Sequence, residues 1–415
     1  MIVKELWAGI DWGDSSHAVC VVDHEGEEMF ALEMPHTAKG LTQIVEKLRA
    51  AGSVSGAAVE TPRNPLIHKL LQAGFAVFPI NPKVSKAWRD GWSAAGGKTD
   101  LGDARALAHG LKERHKRLHP LVPDDEKTRE LKILCHDESK LIAERTALVN
   151  RLKATLKEYY PAALAWFSDW TSPSAWDFII ALDRPQALEK ASEKELVAFL
   201  KQHNIRPGKL WLDKIQKRGD EENWPRDEPT IEAKSMLASA LCRQLKTLEK
   251  SLKAYRKKIE KMFSKHSDSK IFSSLPGAGK KIAPRLLSEF GDKRENYESA
   301  RSMQQISGTV PVTKRSGKRQ FVCFRRACRK GFRNTMYHFA FQSIKYCDWA
   351  RAFYDRAKRK GDSHSLALRK LASKWIKIIW RMWQDKKPYD EQLYIASLVK
   401  GKSPVAQELG LVKKM

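Results

Sequence analysis

Two short apolar runs near the N-terminus each end in an acidic residue, and this feature constrains the fold of the chain most. The runs are Leu6–Asp11 and Ser55–Glu60, and both have the length and composition of buried strands. Burying a carboxylate at the end of such a strand costs free energy unless a positively charged group pairs with it. Because α/β sheets place their sites at the C-terminal ends of strands, we expect Asp11 and Glu60 to share one edge.

The residues around these runs predict a mixed sheet with helices packed on it. Strands and helices are predicted to follow one another in the order β-β-β-α-β-α-β-α over residues 1–122. The remaining strands are predicted at His17–Asp23, Glu28–Glu33 and Phe75–Ile80, and the first two helices at Gly40–Ala51 and Leu66–Ala73.

A further helix is predicted to begin after Thr99, which can act as its N-cap. Asp100 and Asp103 are three residues apart and therefore share one face of that helix. Together with Asp11 and Glu60 they form an oxygen-ligand set suited to two Mg²⁺ or Mn²⁺ ions, which could assist phosphodiester cleavage. Taken singly, each acid is equally compatible with a solvated edge or turn position.

The middle of the chain, residues 123–270, is predicted to be helical. One leucine stripe lies within Thr128–Tyr160, interrupted by Glu138 and Arg145, and a cleaner stripe runs from Leu241 to Met262. The alternating spacing of four and three predicts coiled-coil helices, which could pair within one chain or between chains. Between them lies a helical insertion, about 161–231, whose tryptophans are predicted to form a local core rather than base-stacking platforms: Trp166, Trp170, Trp176, Trp211 and Trp224.

Residues 271–392 are predicted to form a third, mostly helical domain, followed by a basic tail over 393–415. The turn Leu275–Gly279 resembles a helix-hairpin-helix element. Its glycines Gly277 and Gly279 would let backbone amides approach a phosphate, with Lys280 and Lys281 adding charge. A plain turn between two core helices is the alternative.

The segment Val312–Asn334 contains nine Lys or Arg residues and no acid, so it must face anions. Within it, Ser316 stands among cations beside Gly317. It could attack a phosphodiester, or it could merely hydrogen-bond a phosphate. Nucleic-acid contacts are predicted for Lys314, Arg315, Lys318, Arg319, Arg325, Arg326, Arg329 and Lys330.

Charge composition favours nucleic acid as the partner. The chain of 415 residues has 76 Lys+Arg against 49 Asp+Glu, a formal net charge of +27. We find no apolar run of about 18 residues, no signal peptide and no lipidation motif, and the six cysteines show no zinc-binding spacing. These features predict a cytoplasmic nucleic-acid-binding protein with reduced thiols and no membrane partner.

Several motifs resemble one known family. Gly9–Trp12, Val59–Thr61 and Lys98–Ala108 resemble the RuvC-like domain of DEDD insertion-sequence transposases, the IS-one-ten (IS110) family. Pro276–Gly279, Gly308–Pro311 and Ser316–Gly317 resemble the C-terminal transposase domain of that family. The resemblance implies an α/β RuvC/RNase H-like N-terminal domain, a coiled-coil middle and an α-helical transposase domain.

The resemblance also implies the metal ligands, the nucleophile and the partners of this chain. The four metal-binding acids would be Asp11, Glu60, Asp100 and Asp103, holding Mg²⁺ or Mn²⁺. The nucleophile would be Ser316, with Ser307 as the second choice. Attack would leave a phosphoserine link and a free 3′ hydroxyl. The implied partners are donor and target DNA, a structured bridge RNA that pairs with both, and further copies of the chain in a dimer or tetramer.

The predicted function is therefore that of a DNA transposase or recombinase in the cytoplasm or nucleoid of a bacterial or archaeal cell. Three alternatives remain on the sequence: a hydrolytic RuvC-like nuclease or Holliday-junction resolvase, a non-catalytic nucleic-acid-binding protein, and a structural coiled-coil assembly protein.

Overall fold

The computed structural model describes residues 5–60, 65–92, 97–218, 227–317 and 319–412, and the chain divides into two compact units between Pro123 and Asp124. The elements of the first unit are β1 Leu6–Trp12, β2 Ser16–Val22, β3 Glu28–Pro35, α1 Ala38–Ala51, β4 Val54–Val59, α2 Pro65–Gln72, β5 Val77–Pro79, α3 Pro82–Trp92 and α4 Asp100–Arg114.

The strands form one five-stranded sheet in the order β3-β2-β1-β4-β5, so the predicted mixed sheet is confirmed. β1 is central, antiparallel to β2 and parallel to β4. Alternate residues of β1 serve two cores. Ala8 and Ile10 pack beneath α1 and α2, whereas Trp7 packs on the opposite face with α4. Burial on both faces explains why β1 is apolar along most of its length.

Contact between α4 and β1 depends on Gly9. A Cβ atom at this position would lie 2.1 Å from the carbonyl oxygen of Ala104 and 2.3 Å from the amide nitrogen of Ala108. The helix backbone therefore lies directly on the strand backbone, and the small side chains of Ala104 and Ala108 permit this approach.

The second unit contains two long helices, and its remaining elements are helical apart from one hairpin. Its elements are α5 Glu126–Tyr159, α6 Pro173–Ala181, α7 Pro185–Lys190, α8 Glu193–Gln202, α9 Lys209–Gln216, α10 Glu228–Ser264, α11 Ser269–Ser273, α12 Gly279–Phe290, α13 Ala300–Ile306, β6 Val312–Ser316, β7 Arg319–Cys323, α14 Lys330–Tyr346, α15 Asp348–Arg359, α16 His364–Asp385, α17 Glu391–Lys400 and α18 Pro404–Glu408. No helix in the described ranges is long and apolar enough to span a membrane.

The two long helices, α5 and α10, pair antiparallel within the chain. Thr128 at the start of α5 hydrogen-bonds His266, just beyond the end of α10. Lys234 near the start of α10 pairs with Glu158 near the end of α5. The sequence left open whether such helices would pair within or between chains, and in this structure they pack on each other.

The two charged residues that interrupt the leucine stripe of α5 belong to an ionic network between the helices. Glu138, buried, accepts hydrogen bonds from Arg256 (3.2 Å) and from Arg285 of α12 (2.8 Å). Arg256 also donates to Glu249 (3.2 Å), which accepts a further bond from Arg145 (2.9 Å). If α5 and α10 shifted along each other, these charged side chains would stay largely buried but would lose their partners. The network therefore favours a single register of the two helices.

The insertion is a small helical cluster on one end of the long pair. Trp166, Trp170 and Trp176 are buried there, as predicted, and Trp211 packs against their cluster. Trp224 lies outside the described residues.

The segment predicted as a basic tail after residue 392 contains helices in the structure. Residues 391–400 and 404–408 are helices α17 and α18. Leu398, Val405 and Ala406 are buried in the core that also contains Trp375 and Trp383 of α16. Other apolar side chains of this segment, Leu393, Val399 and Leu411, remain exposed.

The ionic network generates a stability prediction. Replacing Glu138 by Ala leaves Arg256 and Arg285 facing each other without their shared carboxylate. We expect Glu138→Ala to lower the free energy of unfolding by about 3 kcal/mol, since removing one member of a buried ion pair strands its partners. Chemical denaturation followed by tryptophan fluorescence measures this.

Glu144→Ala is the matched control, because Glu144 lies two turns further along α5 in solvent. Glu144→Ala should change the free energy of unfolding by no more than about 0.5 kcal/mol. Equal costs for the two variants would show that the network contributes little.

Candidate functional site

Asp11 and Glu60 lie at the same edge of the sheet. β1 and β4 run parallel, and Ile10 pairs with Val59. Asp11 and Glu60 are the residues that immediately follow this pair, so the register places them side by side at the C-terminal ends of two neighbouring strands. Both are half-buried.

Asp100 and Asp103 form the first turn of α4. The Thr99 hydroxyl caps the helix by accepting a hydrogen bond from the amide of Gly102 (3.0 Å), as predicted from the sequence. Asp103 is 7% exposed, whereas Asp100 is exposed. Because α4 lies on β1 across Gly9, its first turn is carried towards the strand end that bears Asp11.

The charges of the four carboxylates act on one another. The pKa of Asp11 is raised to about 6, chiefly by burial and then by the negative charges of Asp103, Glu60 and Asp100 in that order. Lys98 opposes this increase in the pKa. The pKa of Asp11 thus reports an excess of negative charge at this edge of the sheet, which a cation would relieve.

Helix α3 supplies two partners that the sequence did not reveal. Arg89 donates to Asp103 (Nη1 to Oδ1, 2.6 Å), and the Ser85 hydroxyl donates to Glu60. These residues are four apart and therefore share one face of α3. That spacing was the available signal, but nothing in the sequence showed which way the face points.

The residues fit a hard divalent cation by their chemistry. Their donors are carboxylate oxygens, the ligands that Mg²⁺ and Mn²⁺ prefer. Within the described ranges, no three acidic, histidine or cysteine side chains are grouped tightly enough to hold a metal ion as they stand. Arg89 and Ser85 each hydrogen-bond one oxygen of a carboxylate in this set, and the other oxygen of each carboxylate is the one that a cation could take.

Ser316 ends the first strand of a β-hairpin in the second unit. It pairs with Arg319, the first residue of β7, and Gly317 in the turn has φ of +57°. Lys318 lies outside the described residues. The hairpin was not predicted from the sequence. Gly317, which has β-branched and aromatic residues on either side, was the available signal for a turn. The serine is exposed at the tip.

Ser307, the second choice for nucleophile, has a different environment. It is 0% exposed, and its hydroxyl contacts the Gln304 carbonyl (3.1 Å) and the Thr309 hydroxyl (3.1 Å). A DNA strand cannot reach a fully buried hydroxyl without local unfolding. Of the two serines, only Ser316 is accessible.

Most of the cations predicted to contact nucleic acid are available to do so. Among the described residues, these have no carboxylate within 4 Å: Lys314, Arg315, Arg319, Arg326 and Lys330. Arg325 instead holds the entry to the hairpin by donating to the Val310 carbonyl (3.3 Å), and Arg329 donates to the Tyr297 hydroxyl (3.2 Å).

The glycine turn before α12 packs against the protein. Gly277 and Gly279 have φ of +78° and +51°, which disfavours other residues. A Cβ at Gly277 would lie 2.7 Å from the ring of Tyr346 in α14. Lys280 pairs with Glu260 (2.7 Å), whereas Lys281 is exposed. The turn therefore has a packing role, whether or not its amides also contact phosphate.

Comparison with known proteins identifies both regions. Residues 8–161 match the family model for the DEDD transposase of IS110 elements, and residues 269–355 match a model described as "Transposase IS116/IS110/IS902 family". Both regions therefore match transposase domains of the IS110 family. The first match spans the four acids and the second spans Ser316.

Relatives encoded by insertion elements match nearly the whole chain. It is 28% identical to the "Mini-circle putative transposase for IS117" of Streptomyces coelicolor over 404 residues, which is 95% of this chain and 97% of that protein. It is 25% identical to the "Insertion element IS116 uncharacterized 44.8 kDa protein" of Streptomyces clavuligerus, over 92% of this chain and 95% of that protein.

The carboxylate cluster of the first unit predicts a pH-dependent stability. With its pKa raised to about 6, native Asp11 retains a proton that the unfolded chain releases near pH 4, so the native state weakens as pH rises between these values. Asp11→Asn should therefore stabilise the chain at pH 7.5, and the gain should shrink as pH falls through 6.

Denaturant titrations of both proteins in EDTA, from pH 4 to 7.5, measure this difference. A gain that stays constant across that range would contradict the assigned electrostatic cause.

Proposed function

We propose that this chain is a DNA transposase that cleaves and rejoins strands through a covalent serine intermediate. The observation that carries the proposal is the placement of Ser316: an exposed hydroxyl at a hairpin tip, in a segment with nine cations and no acid. The transposase domains found over both regions support it.

In the proposed reaction, the Ser316 oxygen attacks the phosphorus of a DNA phosphodiester. The Ser316 hydroxyl gives up its proton as its oxygen bonds to phosphorus. The bond from phosphorus to the 3′ oxygen breaks, and that oxygen takes up a proton and leaves as a hydroxyl. Lys314 and Arg319 flank the serine through the hairpin register and would neutralise charge on the phosphorane oxygens. Since the phosphoserine link retains the bond energy, a 3′ hydroxyl can reverse the step on a new strand.

The carboxylates of the first unit are proposed to hold Mg²⁺ or Mn²⁺ through Asp11, Glu60, Asp100 and Asp103. A divalent cation supplies Lewis-acid polarisation of a phosphodiester oxygen. Arg89 would orient Asp103, and Ser85 would orient Glu60, each through the hydrogen bond already described. The raised pKa of Asp11 supports this role, because the cluster carries more negative charge than its protein neighbours offset.

Nucleic acid and further copies of the chain are the proposed partners. Donor and target DNA would contact the exposed cations of 312–330, and a structured bridge RNA would select both. The formal charge of +27 is compatible with either nucleic acid. Strand exchange involves several DNA ends, which favours a dimer or tetramer.

Covalent chemistry is tested by trapping the adduct. The chain, purified with its co-purifying RNA, is incubated with Mg²⁺ and labelled DNA containing the flanks of its own coding region. On a denaturing gel we expect a protein–DNA band that Ser316→Ala abolishes. Ser307→Ala is the control and should retain the band, because the buried Ser307 contacts no DNA.

Other outcomes separate the alternatives. Cut DNA without an adduct, unchanged in Ser316→Ala, would indicate a hydrolytic nuclease and overturn the serine mechanism. If RNase treatment of the protein leaves the adduct yield unchanged, the RNA guide is excluded while the serine mechanism stands.

Cation binding is tested without reference to activity. Titration of Mn²⁺ followed by electron paramagnetic resonance should show binding that Asp103→Asn weakens at least about tenfold, since a carboxylate ligand is lost. Asp90→Asn is the control, because Asp90 is an exposed neighbour of Arg89 on α3. Equal affinities for all three proteins would remove Asp103 from the ligand set.

A further inference from the structure

A cationic pocket lies at the root of the hairpin that carries Ser316. It has a volume of about 360 Å³ and opens between α13, α15, α16 and the segment that leads into β6. Its charged lining residues are Arg301, Lys370, Lys374 and Lys377, and it has no acidic lining residue.

Most of this positive charge has no counterion. Lys370 pairs with Asp362 (2.6 Å). In the part of the chain that the structure describes, no carboxylate lies within 4 Å of Arg301, Lys374 or Lys377. The ammonium of Lys374 lies over the Tyr394 ring, 5.9 Å from its centroid. Three cations without a carboxylate partner around one concave surface repel each other, and a bound anion would relieve that repulsion.

Placing the charged side chain of Lys374 in this pocket costs folding free energy. The side chain is half-buried, and burial together with the charge of Lys377 lowers the pKa of Lys374. An apolar side chain of the same length would pack there without that cost. A residue that opposes stability in a pocket is typical of a binding site.

The other wall of the pocket is apolar. Phe353, Val310 and Pro311 line it. Beneath them, the Gln304 amide donates to the carbonyl (2.8 Å) and hydroxyl (2.9 Å) oxygens of Ser373, which holds α13 against α16. A pocket with cations on one side and a ring on the other suits a ligand that is anionic at one end and planar at the other.

We propose that this pocket binds one nucleotide of a DNA or RNA strand, with its phosphate at Arg301, Lys374 and Lys377 and its base against Phe353. Base stacking on an aromatic ring and charge on the backbone are the two general means of holding single strands. The inference rests on the proposed function only in taking a nucleic acid as the ligand, and it does not require covalent chemistry at Ser316.

The pocket lies a short distance along the chain from Ser316, the proposed nucleophile. Pro311 lines the pocket, and Ser316 ends the strand that starts one residue later. Five residues of extended chain span about 16 Å, which equals about five base steps of B-form DNA. A strand held in the pocket would therefore be anchored about five steps from the phosphate that Ser316 reaches.

The test compares two double variants of the full chain, freed of RNA. Fluorescence anisotropy measures binding of twelve-nucleotide oligo(dT) and oligo(rU) between 50 and 200 mM KCl. Lys374→Met with Lys377→Met should weaken binding about tenfold and lower the slope of log affinity against log salt by about 0.7, because the contact with one phosphate is lost. Its melting temperature should equal or exceed that of the parent.

The matched control is Lys253→Met with Lys257→Met, which removes the same charge from exposed positions on α10. We expect less than a twofold change in its affinity. Loss confined to oligo(dT) assigns the pocket to DNA, and loss confined to oligo(rU) assigns it to RNA. Equal losses in both double variants, or none in either, would overturn the proposal.

A second measurement locates the base. Oligonucleotides carrying 5-iodouracil should photocross-link to the peptide containing Phe353, and Phe353→Leu should remove that cross-link while leaving the salt dependence unchanged. A cross-link that maps elsewhere would overturn the assignment of Phe353. These binding results are independent of the adduct assay, so failure of either proposal leaves the other testable.

Discussion

The first unit depends on the direct contact between helix α4 and strand β1 across Gly9. Ala104 and Ala108 meet the strand where any Cβ would collide with the helix backbone. This contact brings Asp103 on the first turn of α4 towards Asp11 at the end of β1. A bulkier residue at position 9 would lift the helix and separate carboxylates whose charges now raise the pKa of Asp11. Packing of three small residues is thus the physical basis of the candidate metal site.

Uncompensated charge is common to the functional regions of both units. The first unit concentrates carboxylates, which Arg89 and Lys98 partly offset. The second concentrates cations along the hairpin and in the pocket beside α16. Like charges held close together oppose folding, so each concentration is a cost that a ligand of opposite charge can remove. A transposase that handles phosphodiesters with divalent cations would meet both conditions.

The long helical pair of the second unit shows the opposite use of charge. Glu138 and Glu249 are saturated by Arg145, Arg256 and Arg285. A leucine stripe can slide by a heptad with little change in buried area, whereas this network tolerates no shift. Charge here specifies a register, and the helices in turn carry the insertion at one end and pack into the C-terminal core at the other.

The sequence by itself determined the mixed sheet, the acids at its strand ends, the cap at Thr99 and the buried tryptophans, because local periodicity and residue type dictate such features. Only the tertiary structure decided that Ser85 and Arg89 face the acids, that Ser307 is buried while Ser316 is exposed, and that the last helices join the core. It also decided how Lys374 and Arg301, far apart in sequence, come to line one pocket. These depend on which faces of separate helices meet, and long-range packing rather than local sequence sets those contacts.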